Sequence, residues 1–429
     1  MRLKDFSLKL VYQVVLKFVA IAIGLYTTRW LIQYTTESVL SDYNVALGYI
    51  NIVLIAVNFG IPNIIQKFYT NKKQEFDTKD FWTTMMLLRF VSYFFGLILI
   101  FFSILILKDI SKSLIIGVYS LVFILIVDLS YRSITDAYGK TWQYSVTDVF
   151  SKLVLVAGLL VYKPYFEGTD SLSYFLWVSF ISYILTILID ATWQWKYTGW
   201  GSFKPEILRH FIRPLGYIAA TNILIGLYNY SDKIFLKLFN YSDLEIVSYS
   251  NAYKIYELAI VLPGLTIPSI ASYAKNRFDT LDQNKIEKFL GRFGNFKSKF
   301  ILYTGISIFI AVLASLVLLI SSNIIFSLID PENKYYLSPQ PVIYLAIGII
   351  PGTIMSILSY FTLFYHGEKY ELIINSIVCF AGILTYLIMI PRFGIVGAAI
   401  GNIIIYTTGM LLEIFCLKKL LSKKPRDVR

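Results

Sequence analysis

Residues 81–107 read FWTTMMLLRFVSYFFGLILIFFSILIL, twenty-seven positions with one charged side chain, Arg89. At about 1.5 Å per helical residue the run reaches roughly 40 Å, longer than the ~30 Å hydrocarbon core of a bilayer. A soluble domain could not keep so long and uniformly apolar a segment from water. The run predicts a membrane-spanning helix.

Outward from it, the same pattern recurs along the chain. Hydrophobic residues make up 57% of the 429 and charged ones only 15%, and mean hydropathy is +0.64. Apolar runs alternate with short polar loops, giving expected spans at 8–33, 40–64, 81–107, 112–137, 142–162, 172–194, 209–238, 243–273, 299–329, 339–365, 370–390 and 395–417. The expected fold class is an all-α integral membrane protein of about 12 transmembrane helices. The first run follows Arg2, Lys4 and Lys9, is too long for a signal peptide and ends in no small-residue cleavage site, so it reads as helix 1. The two cysteines, Cys379 and Cys416, lack metal spacing and read as buried thiols.

The net charge of +12 does not point to nucleic acid, because the basic residues follow the loops. Of 39 Lys and Arg, 27 fall on the side holding the N-terminus, loop 65–80, loops 4–5, 6–7, 8–9 and 10–11 and the C-terminal tail, against about seven opposite. That asymmetry predicts cytoplasmic N- and C-termini. Trp30, Trp82, Trp142, Trp177, Trp193 and Trp195 fall near span ends, where an indole is favoured, and Trp200 lies just beyond. The tail KKLLSKKPRDVR reads as a basic segment facing lipid headgroups.

The chain also repeats itself. Gly24-Leu25-Tyr26 returns as Gly226-Leu227-Tyr228, at an offset of 202. Tyr43-Asn44-Val45-Ala46 with Ile61-Pro62 returns as Tyr249-Ser250-Asn251-Ala252 with Ile267-Pro268, at 206. Leu129-Ser130-Tyr131 near Gly139-Lys140 parallels Leu358-Ser359-Tyr360 near Gly367-Glu368-Lys369. Six expected spans separate the copies, so the halves share one orientation and form two parallel six-helix lobes. The expected division is a first lobe over 1–195, a cytoplasmic linker over 196–208, a second lobe over 209–418 and a basic tail over 419–429. Transporters with such halves place substrate between them and rock, and the segment from Trp195 to Pro214 is the hinge candidate.

Ionisable groups inside spans are unfavourable by several kcal/mol unless paired or hydrated, which makes them functional candidates. Lys17, Lys152 and Lys254 lie roughly 14–17 Å from a span end, too deep for easy snorkelling. Lys17 has no carboxylate at i±3 or i±4 and is the strongest single candidate. Asp148 and Lys152 stand at i, i+4, and Lys254 and Glu257 at i, i+3, so each pair reads equally as structural or functional. Helix 4 carries Asp128, Arg132 and Asp136, and helix 7 carries Asn229, Asp232, Lys233 and Lys237. For Arg29, beside Trp30, and for Arg89, anchoring competes with a lumenal role, while His366 is a lesser candidate for proton sensing. A cavity lined by such cations would favour a phosphate or pyrophosphate, and Asp128, Asp232 and Glu257 could couple transport to a proton or sodium ion.

No catalytic residue, metal site or cofactor is expected. The chain has no Walker A loop, no GxGxxG, no HExxH and only two histidines, His210 and His366.

YSDKIFLKLF (230–239) and DLEIVSYSNAYKIYELAIVLPGLTIPSIASYAK (243–275) resemble helices 7 and 8 of the Wzx-type polysaccharide (O-antigen or capsule) repeat-unit flippases of the MOP, MATE-like exporter superfamily. Asp232-Lys233 and the Tyr249–Tyr253 stretch carry the likeness most closely. The resemblance implies a two-lobe carrier in the bacterial cytoplasmic membrane, with no enzymatic activity. It would flip undecaprenyl-pyrophosphate-linked oligosaccharides of O-antigen, lipopolysaccharide or capsule biosynthesis from the cytoplasmic to the outer leaflet by alternating access. It implies a cationic cavity, which Lys17, Arg29, Arg89, Lys152, Lys233 and Lys254 would serve, with Asp128, Asp148, Asp232 and Glu257 as coupling or ion-pair carboxylates. Expected partners are the lipid-linked anionic oligosaccharide, membrane lipids, a proton or sodium ion, and polysaccharide polymerase or chain-length proteins, with no nucleic acid. The rivals are a cation-coupled multidrug exporter of the MATE kind, a major-facilitator carrier and a polymerase or ligase. KFYTNKKQEFDTKD (67–80) lacks the Gly- and Arg-rich major-facilitator signature, and no large external loop for a polymerase or ligase appears.

Overall fold

A computed structural model of the chain describes residues 3–70, 76–106, 111–138, 140–161, 169–278, 294–332, 339–364 and 367–422. Within these, some side chains lie outside the description, chiefly those of 3–14, 17, 213–215, 264–278 and 294–304. The described elements are helices: α1 (Leu3–Tyr34), α2 (Glu37–Asn58), α3 (Ile61–Thr70), α4 (Thr78–Ile106), α5 (Lys112–Ala137), α6 (Thr141–Val161), α7 (Thr169–Gln194), α8 (Pro205–Leu238), α9 (Asp243–Phe278), α10 (Gly294–Ile329), α11 (Gln340–Phe364) and α12 (Glu368–Ser422). In a bilayer only such helices, or closed barrels, satisfy every backbone group internally.

Among the described residues, eight helices are long and apolar enough to cross a membrane: α2, α4, α5, α6, α7, α10, α11 and α12. A ninth is added if the two parts of α8, Pro205–Ile212 and Gly216–Leu238, bent by 61°, count as one span. α12 covers two expected spans, parted at Gly394 (φ 58°, ψ −135°) just after Pro391. The Tyr241 hydroxyl donates to the carbonyl of Ile390 at this break (2.7 Å). Large apolar side chains such as Phe94, Phe101, Trp177, Ile320 and Phe415 are exposed, as a multi-pass membrane protein requires of its lipid-facing surface.

One expected span is corrected. The apolar run 40–64 is not one helix, because α2 ends at Asn58 and α3 begins at Ile61. Phe59 (φ 48°) and Gly60 (φ 67°) lie in the left-handed region between them. Pro62 then sits in the first turn of α3, where its missing N–H is harmless. Hydropathy runs straight through this break, so only the Gly-Ile-Pro punctuation marks it.

The chain forms two compact units, Met1–Lys237 with Ser242–Val247 and Ser327–Tyr336, and Leu238–Tyr241 with Ser248–Phe326 and Leu337–Arg429. In the first unit, α2 and α8 meet through glycines on both sides. A Cβ on Gly48 would stand 3.3 Å from the Tyr230 carbonyl, and one on Gly226 would stand 2.9 Å from Ile55 Cδ1. A Cβ on Gly60 would overlap Ile218 Cγ2. Small residues let membrane helices approach this closely, where packing rather than water expulsion drives association.

Polar side chains order the ends of these helices. Asp77 Oδ1 accepts from the backbone N–H groups of Lys79 (2.9 Å) and Asp80 (3.3 Å), capping α4. Ser242 and Glu245 form a reciprocal capping box at α9, with bonds of 3.0 and 3.3 Å. The segment before α8 is strapped to the start of α4. Gly201 N donates to Thr83 Oγ1 (2.8 Å), Ser202 N to Asp80 Oδ1 (2.7 Å) and Lys204 N to Thr84 Oγ1 (3.1 Å). Nearby, Phe68 stacks on Phe81 at 3.7 Å, and the Tyr69 hydroxyl donates to the Tyr197 carbonyl at 2.8 Å. Burial, with Tyr138 and Asp77 close by, pushes the Tyr69 phenol well above its ordinary range.

Candidate functional site

The first unit holds a polar core among α5, α6 and α7, within segments whose other faces are apolar. α5 supplies Asp128, Arg132 and Asp136, spaced one helical turn apart on one side of the helix. α6 supplies Tyr144, Thr147, Asp148 and Lys152, and α7 supplies Ser182, Tyr183 and Asp190. Lys152 Nζ lies 3.2 Å from Asp148 Oδ1, so the i, i+4 pair read in the sequence forms. Arg132 pairs with Asp136 at 3.8 Å and sits over the Tyr144 ring, 4.3 Å from its centroid.

Asp128 and Asp190 are the least compensated members. Both are buried, Asp190 at 1% exposure, and their carboxyl groups lie within hydrogen-bonding reach of each other. The Thr147 hydroxyl donates to Asp190 Oδ2 (3.3 Å), while Oδ1 of each aspartate has no partner among the described residues. Two carboxylates so placed repel each other unless a cation or a proton lies beside them.

Arg89 lies in the same unit on α4. Its side chain is 2% exposed. Nε donates to Ser130 Oγ (3.0 Å) and Nη1 to Asn58 Oδ1 (2.5 Å), whereas Nη2 has no acceptor among the described residues. Among the described residues no carboxylate pairs with it. Asn58 is the last residue of α2, so Arg89 also places positive charge at the negative end of that helix.

On α8, Lys233 and Asp232 are buried, and Asp232 Oδ1 accepts from the Lys233 backbone N–H at 2.8 Å. The Lys233 side chain passes over Gly48, its Cδ 3.7 Å from where a Cβ would stand. One turn on, Lys237 bridges Asp42 (3.3 Å) and Asp243 (3.1 Å). Arg29 is exposed and lines a pocket with Gln33, Asp330 and Glu332.

In the second unit, Lys254 and Glu257 are half-buried on α9. The Asn402 amide donates to the hydroxyl of Tyr249, in the segment that carried the family likeness (3.1 Å). Lys17 lies on α1 but its side chain falls outside the described residues, as do His366 and residues 279–293 and 423–429. The structure thus brings Asp128, Asp148 and Lys152 into one polar core and places Arg89, Lys233, Arg29 and the Lys254–Glu257 pair elsewhere. Sequence reasoning missed Asp190, Glu371 and Glu413. Each is a single acid in or beside an apolar run, and that was the available signal.

No family model and no curated protein sequence matches the chain. Solved structures do match it in fold. A lipid II flippase MurJ in an inward closed conformation matches with a TM-score of 0.66 at 16% identity, over 95% of this chain and 87% of that one. An inward-facing multidrug resistance MATE family transporter of the MOP superfamily matches at 0.64 and 12%, over 97% and 99%. A MOP superfamily transporter from Pyrococcus furiosus, in which reversed polarity of the binding pocket suggests a different function, matches at 0.66 and 13%, over 97% and 96%. The chain has the helical fold shared by MurJ and the MATE transporters of the MOP superfamily.

Proposed function

We propose that the chain is a flippase that moves a lipid-linked anionic oligosaccharide, of the undecaprenyl-pyrophosphate class, across a bacterial cytoplasmic membrane. In this reading twelve helices cross the bilayer with both termini cytoplasmic, and a cation-lined path is exposed to each face in turn. The observation that carries it is Arg89. A guanidinium 2% exposed within a membrane span, bound to two neutral oxygens and with Nη2 open, leaves a positive charge inside the protein. Buried Lys233 adds a second cation in the same unit. Such an interior attracts a phosphate or pyrophosphate, whose passage through bare hydrocarbon would strip its polar groups of water. The fold match to a lipid II flippase over 95% of the chain supports the same reading. Lys17, Arg29, Lys152 and Lys254 are further candidate contacts, and a polymerase and chain-length proteins are candidate partners.

The test is a deletion strain in which lipid-linked repeat units are labelled and assigned to a leaflet. They accumulate on the cytoplasmic face without the chain, and the wild type, but not Arg89→Met or Lys233→Met, restores their passage. Unchanged distribution in the deletion strain, together with lost export of a cationic dye, would overturn the proposal. That outcome belongs to the second reading, a cation-coupled exporter, which the Asp128–Asp190 carboxyl pair favours.

A further inference from the structure

Glu371 and Glu413 meet in the second unit, within a 55-residue helical segment whose mean character is apolar. They are 2% and 0% exposed, and their carboxyl groups lie within hydrogen-bonding reach of each other. The Thr362 hydroxyl on α11 donates to Glu413 Oε2 (2.7 Å). The Asn375 amide donates to Glu371 Oε2 (3.3 Å), and Ser359 bonds the same carboxyl group. Among the described residues, none donates a hydrogen bond to Oε1 of either glutamate. Among the described residues neither glutamate has a salt-bridge partner. Among the described residues, Cys416 is a titratable group beside them, with Lys419 beyond it on the same helix, and α11 contributes the hydroxyls of Ser359 and Thr362.

Two ionised carboxylates in contact, sealed from water and without a cation, are strongly disfavoured, so the site must hold positive charge. What surrounds it says which kind. Thr362 and Asn375 present an O–H and an N–H to the carboxyl groups rather than lone pairs, and a metal ion takes lone pairs. Each glutamate keeps one open oxygen, and a proton on either carboxyl group supplies the donor that the contact between them needs.

We propose that Glu371 and Glu413 form a proton-binding site that carries one shared proton. The proton bridges the two carboxyl groups, and its release leaves two carboxylates held by Thr362, Ser359 and Asn375. The site is independent of what the protein transports. Only its use as a coupling proton rests on the transport reading above.

The test is infrared difference spectroscopy of the purified full chain in detergent, titrated in H2O and D2O. The wild type shows a protonated carboxylic C=O band that persists above the pH where exposed carboxylates ionise and shifts in D2O. Glu371→Gln and Glu413→Gln each lose that component, whereas Asp190→Asn removes a different one. Thr362→Val removes a donor that favours the ionised form, so its band persists to higher pH, a shift that misfolding would not produce. A component unchanged in both Gln variants would overturn the site, as would one displaced by sodium but not by choline at constant pH. Because the readout needs no substrate, a failed flippase assay leaves it untouched.

Discussion

Lys237 and Asp42 meet at 3.3 Å although 195 positions separate them, and the same ammonium stands 3.1 Å from Asp243. One cation near the end of α8 therefore joins the start of α2 to the start of α9. All three side chains are partly exposed, so solvent screens the pairs and each is worth about 0.2–1 kcal/mol. A double-mutant cycle of Lys237→Ala and Asp42→Ala, read by thermal unfolding in detergent, should give a coupling energy in that range. The coupling should shrink as salt is raised to molar concentration, where the Debye length falls to about 3 Å.

Arg89 separates stability from transport. Asn58→Ala strips an acceptor from a buried guanidinium and should lower stability by about 1–3 kcal/mol. Arg89→Met removes the charge and keeps the bulk, so it should unfold within about 1 kcal/mol of wild type or above it. On the flippase reading Arg89→Met nonetheless abolishes transport. Full transport by that variant would remove Arg89 from the substrate path.

Gly60 is held by both backbone and neighbour. At φ 67°, with Ile218 where a Cβ would go, Gly60→Ala should cost about 1–3 kcal/mol. Gly305→Ala is the control, since among the described residues nothing lies within 4 Å of its Cβ position on α10. It should leave stability unchanged or raise it by about 0.5–1 kcal/mol through helix propensity. Equal losses in the two variants, measured by thermal unfolding, would contradict the packing described.

Asp190 tests the carboxyl pair of the first unit. Asp190→Asn retains the bond with Thr147 and supplies its own donor to Asp128, so it should fold and insert normally. Asp190→Leu leaves Asp128 buried without its partner and should lower stability by about 1–3 kcal/mol. If the pair couples transport to protons, Asp190→Asn transports at a rate that no longer responds to an imposed pH gradient.

Much of this was legible before any coordinates. Apolar runs located helices because a bilayer demands long, backbone-satisfied segments, and the i, i+4 spacing of Asp148 and Lys152 foretold their contact. Long-range pairing was not legible. Glu413 meets a partner 42 positions away, and Asp190 one 62 positions away, and no helical spacing reports such distances. For Arg89 the sequence left headgroup anchoring and a lumenal role open, and its neighbours Ser130 and Asn58 hold it inside. The break after Asn58 escaped because apolarity measures burial in lipid, not continuity of hydrogen bonding.

The glycine seam between α2 and α8 has a consequence for how such chains diverge. Gly48 faces the Tyr230 backbone, Gly60 faces Ile218 and Gly226 faces Ile55, so bulk on one helix is matched by its absence on the other. Relatives of this chain should therefore change these positions in compensating pairs. A side chain gained at position 226 should travel with a smaller residue at 55, and one gained at 60 with both a smaller residue at 218 and a rebuilt turn. Position 48 meets main chain at 3.3 Å, which no substitution opposite can trim, so a side chain gained there should travel with a small shift of the α8 backbone.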